Sequence, residues 1–157
     1  MEASNGFGDT PERMSGILKE KEFFPVLQRL FHPFNVEIIQ SSSWENKNQK
    51  VDYWGFKNGT KIYAFDFKTS NTPETDFKLT YKINNSTKHS FEVGYPNILS
   101  IFLLNHIGSI AFVSKKKIYQ WLLDNKPVIS PSTRDNSTFF RFPTFEISKL
   151  ASNIVKY

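Results

Sequence analysis

An aspartate and a lysine, separated by one residue, end the most clearly alternating apolar segment of this 157-residue chain. Asp66 and Lys68 close the run Lys-Ile-Tyr-Ala-Phe-Asp-Phe-Lys, and Asp52 lies upstream across a predicted hairpin. Because side chains alternate between the two faces of a strand, Asp66 and Lys68 should share one face. Two carboxylates and an ammonium group that address one bound atom are the minimum set for metal-assisted hydrolysis of a phosphodiester.

Each group of this set has a task in such a reaction. Asp52 and Asp66 would bind a divalent cation, and the main-chain carbonyl of Phe67 could complete its coordination. Lys68 would orient the attacking water or stabilise the charge of the transition state. The chain has no cysteine and only three histidines, which excludes thiolate sites and favours a hard ion, Mg²⁺ or Mn²⁺. The alternative interpretation is a hairpin whose charged residues face solvent.

The same Asp-x-Lys spacing recurs at two other places, so context has to separate the candidates. Asp76 begins one copy in a stretch that we interpret as a polar loop, and Asp124 begins another directly after a predicted helix. Only Asp66 ends an alternating apolar strand. The context therefore favours Asp66.

Apolar periodicity and turn residues predict one α/β domain. A helix begins at Thr10 and continues to about residue 31, and Pro25 should kink or interrupt it. The other predicted elements are strands over residues 34–40, 51–56, 61–68, 98–104 and 109–113, polar loops over 41–48 and 69–90, a helix over 118–123 and an edge strand over 139–145. This order is typical of an α/β sandwich, in which helices flank a central mixed sheet. Residues 1–9 are small and polar and should form a flexible N-terminus before the domain of residues 10–157.

The register of the hairpin decides whether the two aspartates meet. The Asn-Gly pair at residues 58–59 predicts a two-residue turn, and a regular hairpin around it pairs Asp52 with Phe65. That pairing puts Asp52 and Asp66 on opposite faces of the sheet. A longer loop or a bulge, for which Gly55 is a candidate, would instead place Asp52 opposite Asp66. The hydrolysis hypothesis therefore predicts an irregular register.

The charge balance is compatible with a polyanionic partner. Twenty basic and fifteen acidic residues give a net charge of +5. Lys115, Lys116 and Lys117 could contact a DNA backbone, although a lysine run before a helix is more often a solvated helix end. Arg134 and Arg141 are further candidate phosphate contacts. No apolar stretch is long enough for a membrane span and no signal pattern begins the chain, so we expect no membrane partner and a cytoplasmic location.

Asp52, thirteen further residues and then Asp66-Phe67-Lys68-Thr69-Ser70 resemble the motif of the PD-(D/E)XK nuclease superfamily. The resemblance covers roughly residues 15–123, because the order of helix, strand, hairpin, later strands and helix also fits. Val51 stands where the family usually has proline before the first aspartate. The resemblance implies a restriction-endonuclease-like fold, Mg²⁺- or Mn²⁺-dependent cleavage of DNA, and a phosphate contact by Ser70.

Many members of this superfamily add an acidic residue from the first helix, and two glutamates compete for that role here. On a regular helix Glu20 shares the apolar face with Phe23 and Leu27, whereas Glu22 points to the opposite side. A carboxylate beside the apolar face can reach the edge of the sheet, which favours Glu20 as a third catalytic and metal-binding acid. An ordinary solvated glutamate is the alternative for Glu20.

The substrate implied by the resemblance is double-stranded or branched DNA, and the residues leave junction resolution, site-specific cleavage and homing open. By analogy with the family, cutting two strands needs two sites and hence a homodimer or higher homo-oligomer. The strong use of Lys, Asn and Phe indicates an AT-rich genome, such as that of a phage or mobile element, with a location inside the host cell if the chain is viral. The alternatives are a catalytically inactive nucleic-acid-binding module and a viral interaction protein on the same fold.

Overall fold

The computed structural model describes residues 11–82, 89–91, 94–133 and 135–157. Within these ranges the helices are α1 (Pro11–Phe31), α2 (Ser43–Gln49), α3 (Lys115–Asn125) and α4 (Thr144–Leu150). The strands are β1 (Glu37–Gln40), β2 (Tyr53–Lys57), β3 (Thr60–Lys68), β4 (Asp76–Lys82), β5 (Ile98–Leu104), β6 (Ser109–Ser114), β7 (Ser130–Pro131), β8 (Thr138–Pro143) and β9 (Asn153–Lys156). No helix in the described ranges is long and apolar enough to cross a bilayer.

The strands form two sheets, of which the larger is mixed. Its order is β1-β2-β3-β5-β6-β9, with β3 and β5 parallel and the other neighbours antiparallel. The second sheet has the order β4-β8-β7 and is antiparallel. The predicted α/β sandwich with a central mixed sheet is confirmed.

Both faces of the large sheet are covered, which explains why its central strands are apolar almost throughout. One face packs against α1, where Leu27 and Phe65 are fully buried together with Ile101 of β5. The opposite face packs against the second sheet, α3 and α4, and Phe102 of β5 is buried there against Phe77 of β4. Alternate residues of β5 therefore belong to two different cores.

The hairpin of β2 and β3 is irregular, as the hydrolysis hypothesis requires. Lys57 pairs with Thr60 across the Asn-Gly turn, but the register shifts at Gly55, and beyond the shift Tyr53 pairs with Phe65. Continuing this register by one residue brings Asp52 to Asp66. A Cβ atom on Gly55 would lie 3.0 Å from the Cβ of Tyr63, so glycine suits the tight contact between the strands at the shift.

Two segments predicted as loops are regular elements. Residues 43–49 form α2, which begins with a capping box: the hydroxyl of Ser42 accepts from the Glu45 amide, and the Glu45 carboxylate accepts from the Ser42 amide. Residues 76–82 form β4, because Phe77 and Leu79 alternate with polar residues and bury one face. The prediction of one long polar loop over residues 69–90 was wrong for this part.

The ends of other elements also differ from the prediction. The helix α1 continues through Pro25 without interruption, and the proposed cap Thr10 and residues 1–9 lie outside the described ranges. A short 3₁₀ turn occupies residues 32–34, so β1 begins only at residue 37. The predicted edge strand, β8, is the middle strand of the second sheet, because β4 and β7 pair with its two sides. The elements α4 and β9 were not predicted.

Gly94 provides a test of how tightly α2 is held. Its φ is +88°, and a Cβ atom there would lie 2.7 Å from the carbonyl oxygen of Gln49 at the end of α2. Gly59 has a similar φ of +75° but nothing within 4 Å of the same position. We expect Gly59→Ala to cost about 1–2 kcal/mol for the left-handed backbone alone, and Gly94→Ala to cost about 1–3 kcal/mol more for the clash.

Urea unfolding of the two variants, compared with the unmodified chain, measures this difference directly. Because Gly59→Ala carries the same backbone penalty, the extra loss in Gly94→Ala reports the contact with α2. Equal losses in the two variants would contradict the close approach of residue 94 to α2.

Candidate active site

Asp52 is held at the start of the hairpin by hydrogen bonds to four neighbours, one of which is the Ser41 amide, which donates to the Asp52 carbonyl (2.9 Å). Its amide donates to the carbonyl of Phe65 (2.8 Å), and its Oδ2 accepts from the amide of Phe67 (2.6 Å). Its Oδ1 accepts from the side-chain amide of Asn46, which projects from α2. The two bonds to β3 go to the residues on either side of Asp66, so the first aspartate is fixed beside the second.

Asp66 is a buried carboxylate whose two oxygens have different surroundings. The residue is 9% exposed and pairs in register with the buried Ser100 of β5. Its Oδ2 lies 3.0 Å from Nζ of Lys68, which confirms that these two side chains share a face of β3. Its Oδ1 is buried and has no hydrogen-bond partner among the described residues. A buried carboxylate oxygen without a partner is costly, and such exceptions in a fold call for an explanation.

The ionised form of Asp52 is disfavoured by its surroundings. Burial raises the pKa of this carboxyl well above its ordinary value, and the negative charges of Glu20 and Asp66 raise it further. The amide of Phe67 and the charge of Lys68 act in the opposite direction without cancelling the effect. A buried carboxyl whose pKa is raised by burial and by neighbouring carboxylates is a candidate functional group.

The structure brings Glu20 to the same group and leaves Glu22 exposed on α1. The backbone carbonyl of Glu20 accepts a hydrogen bond from the hydroxyl of the buried Tyr53, which ties α1 to β2 next to Asp52. Burial raises the pKa of Tyr53, and the charges of Glu20 and Asp52 add to this rise. The electrostatic effects on both neighbours place Glu20 at the edge of the aspartate pair.

Lysine side chains surround the aspartates on their other side. Burial alone would lower the pKa of Lys68, but the charges of Asp66 and Asp52 and the hydrogen bond to Asp66 raise it, so Lys68 is cationic. Burial, with the charges of Lys68 and Lys50, lowers the pKa of Lys115 to about 8 against the opposing charge of Asp66. Lys115, at the start of α3, therefore belongs to the site.

The other predicted nucleic-acid contacts are placed differently. Lys116 and Lys117 are exposed, and Lys117 donates to the carbonyl of Leu150 (3.5 Å), so the lysine run is divided between the site and the surface. The hydroxyl of Ser70 donates to the carbonyl of Asp76 (2.6 Å) and accepts from the Thr72 amide (3.0 Å). Ser70 thus fixes the turn after the motif. Arg134 lies outside the described residues.

The site offers part of the donor set that a hard divalent cation, the group that the sequence implies, would need. Carboxylate oxygens of Asp52 and Asp66 and the nearby carbonyl of Phe67 are ligands of the right class. The unpartnered Oδ1 of Asp66 is the observation that fits a cation best. In the described part of the chain, however, no group of three or more His, Asp or Glu side chains is arranged to hold a metal ion. This geometry therefore offers a cation two carboxylates and further oxygen donors.

Sequence reasoning missed Asn46 and Lys50, which both belong to the α2 segment. The side-chain amide of Asn46 donates a hydrogen bond to Asp52. Burial lowers the pKa of Lys50, and the charges of Lys47 and then of Lys68 lower it further, so Lys50 lies close to Lys68. The capping-box spacing of Ser42 and Glu45 was the available signal, because it predicts a helix that begins there.

The two look-alike motifs have ordinary surroundings. Asp76 does lie in a strand, contrary to prediction, but it is paired with Arg141 at 3.3 Å in the second sheet. Asp124 is exposed and accepts a hydrogen bond from Gln120 within α3. The partners that the structure gives to these two aspartates are Arg141 for Asp76 and Gln120 for Asp124.

Comparison of this chain with protein-family models, curated proteins and solved structures finds no match. A functional assignment therefore depends on the residues and geometry of the site itself.

Proposed function

We propose that this chain is a metal-dependent endonuclease that hydrolyses phosphodiester bonds of DNA. The observation that carries the proposal is the buried, unpartnered Oδ1 of Asp66 beside Asp52. A fold retains such an arrangement at a cost in stability, and sites of this kind are usually functional. The proposed cofactor is Mg²⁺ or Mn²⁺, held by Asp52, Asp66 and the Phe67 carbonyl, with Glu20 as a further acid at the edge.

The cofactor, when bound, would polarise the scissile phosphate and lower the pKa of a water molecule. The chain's own residues prepare the site for this chemistry. Asn46 and the amide of Phe67 fix the orientation of the Asp52 carboxylate, so it does not have to reorganise during the reaction. Asp66 is fixed by the register between β3 and β5, and it holds Lys68 at its Oδ2.

The two lysines of the site have separate proposed roles. Lys68 is kept cationic by the aspartates and would stabilise the negative charge that develops on the phosphoryl oxygens. Lys115, from the start of α3, would be a second phosphate contact, since the charge of Asp66 acts on it. Two lysines near the carboxylate pair would offset its repulsion of an anionic substrate.

Partner, assembly and location belong to the proposal as well. The substrate would be double-stranded or branched DNA, and a homodimer or higher homo-oligomer would supply a second site for the second strand. The net charge of +5 is compatible with this partner. The proposed location is the cytoplasm, or the interior of the host cell if the chain belongs to a phage or mobile element.

The proposal is tested with purified protein and a panel of linear, supercoiled, branched and single-stranded DNA, together with RNA. We expect cleavage of DNA in the presence of Mg²⁺ or Mn²⁺ and its complete loss in excess EDTA, because the reaction needs a bound cation. Cleavage that survives EDTA would contradict the metal-dependent mechanism. Absence of cleavage of every substrate with either metal would contradict the proposed activity.

A DNA-binding module without catalysis is the second candidate. The observation that favours it is that the described residues hold no cluster of three or more potential metal-ligating side chains. In the same panel, this candidate predicts DNA binding that is unchanged by EDTA and is not followed by cleavage. Binding and cleavage measured on one preparation therefore separate the two functions.

A further inference from the structure

A basic cavity adjoins the candidate active site on the side of the second sheet. It has a volume of about 270 Å³, and its walls come from α1, from the turn after β3, and from β4 and β8. Lys19, Lys78 and Arg141 contribute three cations, against the single carboxylate of Asp76. The remaining lining residues are polar and include Ser70. A cavity with this composition is suited to an anion with several oxygen atoms, such as a phosphodiester.

The lining of the cavity is adjacent to the residues of the site along the chain. Lys19 directly precedes Glu20, and the turn that contains Ser70 directly follows Lys68. Two elements of the cavity wall are therefore extensions of elements that position the proposed catalytic residues. An anionic polymer held at the aspartate pair would pass through this cavity with its next phosphates.

The cation of Arg141 is available for such a ligand at little cost. Its guanidinium lies 3.3 Å from Asp76, but the side chain is 59% exposed. Exposed ion pairs contribute little to stability, so a phosphate can replace the carboxylate as the partner. Lys78 and Arg141 are cross-strand neighbours on β4 and β8, which places both cations on the outer face of the second sheet.

A second cavity, of about 300 Å³, lies on the other side of Arg141. Its lining is mostly apolar and includes Phe139 and Val128. Val128 is 81% exposed, and Lys78 lies 4.4 Å from the centre of the Phe139 ring. Arg141 lines both cavities, so the cationic cavity and the apolar wall lie next to each other on the outer face of the second sheet.

We infer that the outer face of the second sheet binds an unpaired nucleic-acid strand next to the scissile bond. Cations for the phosphates and an aromatic wall for the bases are the two components of single-strand recognition. The bases of a duplex are paired and stacked inside, so they cannot reach Phe139. That the bound strand is part of a substrate rests on the proposed nuclease function. The class of substrate is then DNA with a single-stranded flap, overhang or branch.

Fluorescence anisotropy with a labelled single-stranded oligonucleotide tests the inference in EDTA, where the strand stays intact. We expect Phe139→Ala to raise the Kd about tenfold, because stacking of a base on an aromatic ring contributes to single-strand affinity. The plot of the logarithm of the binding constant against the logarithm of salt concentration has a negative slope. We expect Arg141→Gln to reduce the magnitude of this slope by about 0.7, the value for one phosphate contact on a single strand. Lys78→Gln, at an exposed position, should act like Arg141→Gln.

The matched control is Phe145→Ala, which removes an exposed ring with Lys149 placed 5.2 Å from its centre, outside both cavities. Its Kd should be unchanged. Unchanged single-strand binding in Phe139→Ala, Arg141→Gln and Lys78→Gln would overturn the inference, as would equal losses for a duplex of the same sequence. If the chain binds the single strand as expected but cleaves no substrate with Mg²⁺ or Mn²⁺, the proposed activity fails while the binding surface stands.

Discussion

Asp66→Asn is expected to reduce Mg²⁺-dependent DNA cleavage by at least about 10³-fold, or about 4 kcal/mol of transition-state stabilisation. The substitution keeps the shape of the side chain but removes the charge at the buried Oδ1, which has no hydrogen-bond partner in the described part of the chain. It also removes the negative charge with which Lys68 pairs at 3.0 Å. Initial cleavage rates on a labelled branched oligonucleotide measure the loss, and anisotropy with the same DNA checks that binding is retained.

Asp124→Asn is the matched control, because Asp124 begins an Asp-x-Lys sequence of the same spacing on the exposed surface of α3. We expect this variant to cleave DNA at the rate of the unmodified chain. Thermal melting of both variants excludes unfolding as the cause of a difference. Equal activity of Asp66→Asn and the unmodified chain would remove Asp66 from the site and with it the proposed mechanism.

Addition of Mn²⁺ is expected to stabilise the fold strongly. A ligand that binds only the folded state at a hundred times its Kd contributes about 2.7 kcal/mol, or about 5–10 °C in Tm for a chain of this size. The physical reason is that a cation relieves the repulsion between Asp52, Asp66 and Glu20. Tm measured against Mn²⁺ concentration tests this expectation, and Asp124→Asn should respond like the unmodified chain.

Asp52→Asn should show the opposite pattern, with a higher Tm than the unmodified chain in EDTA and little response to Mn²⁺. The pKa of Asp52 is raised in the folded state, so this group favours folding while protonated and loses that contribution as pH rises above the ordinary carboxyl range. The advantage of Asp52→Asn in EDTA should therefore grow between about pH 4 and neutrality. A Tm of the unmodified chain that does not respond to millimolar Mn²⁺ would contradict a cation site at the aspartates.

The site was accessible from the sequence because it depends on local rules. The alternation of β3 put Asp66 and Lys68 on one face, and the Asn-Gly turn located the hairpin. The register shift at Gly55 could be predicted only from the requirement that Asp52 and Asp66 lie opposite each other, because the Asn-Gly turn alone favours a regular hairpin. Local pattern and proposed chemistry together, rather than either one, led to the register that the structure has.

The surroundings of the site were less accessible, because they depend on contacts between distant segments. The strand β4 is polar at alternate positions, a pattern that also suits a loop. It is a strand because it pairs with β8, some sixty residues later, and packs Phe77 against Phe102 of β5. Pro143 at the end of β8 suggested an edge strand, yet it only closes the middle strand before α4 begins. Which strands pair with each other is a property of the tertiary structure, and the composition of a strand does not reveal it.

The parallel pairing of β3 with β5 has a consequence for the order in which the site forms. The hairpin of β2 and β3 is local, whereas β5 can join β3 only after the chain of residues 69–97 has closed on itself, which is slow. Until β5 arrives, Asp66 remains in water, and its repulsion of Asp52 is screened. The burial and the repulsion that disfavour the ionised form of Asp52 therefore arise only when β5 pairs with β3, and not when the local hairpin forms.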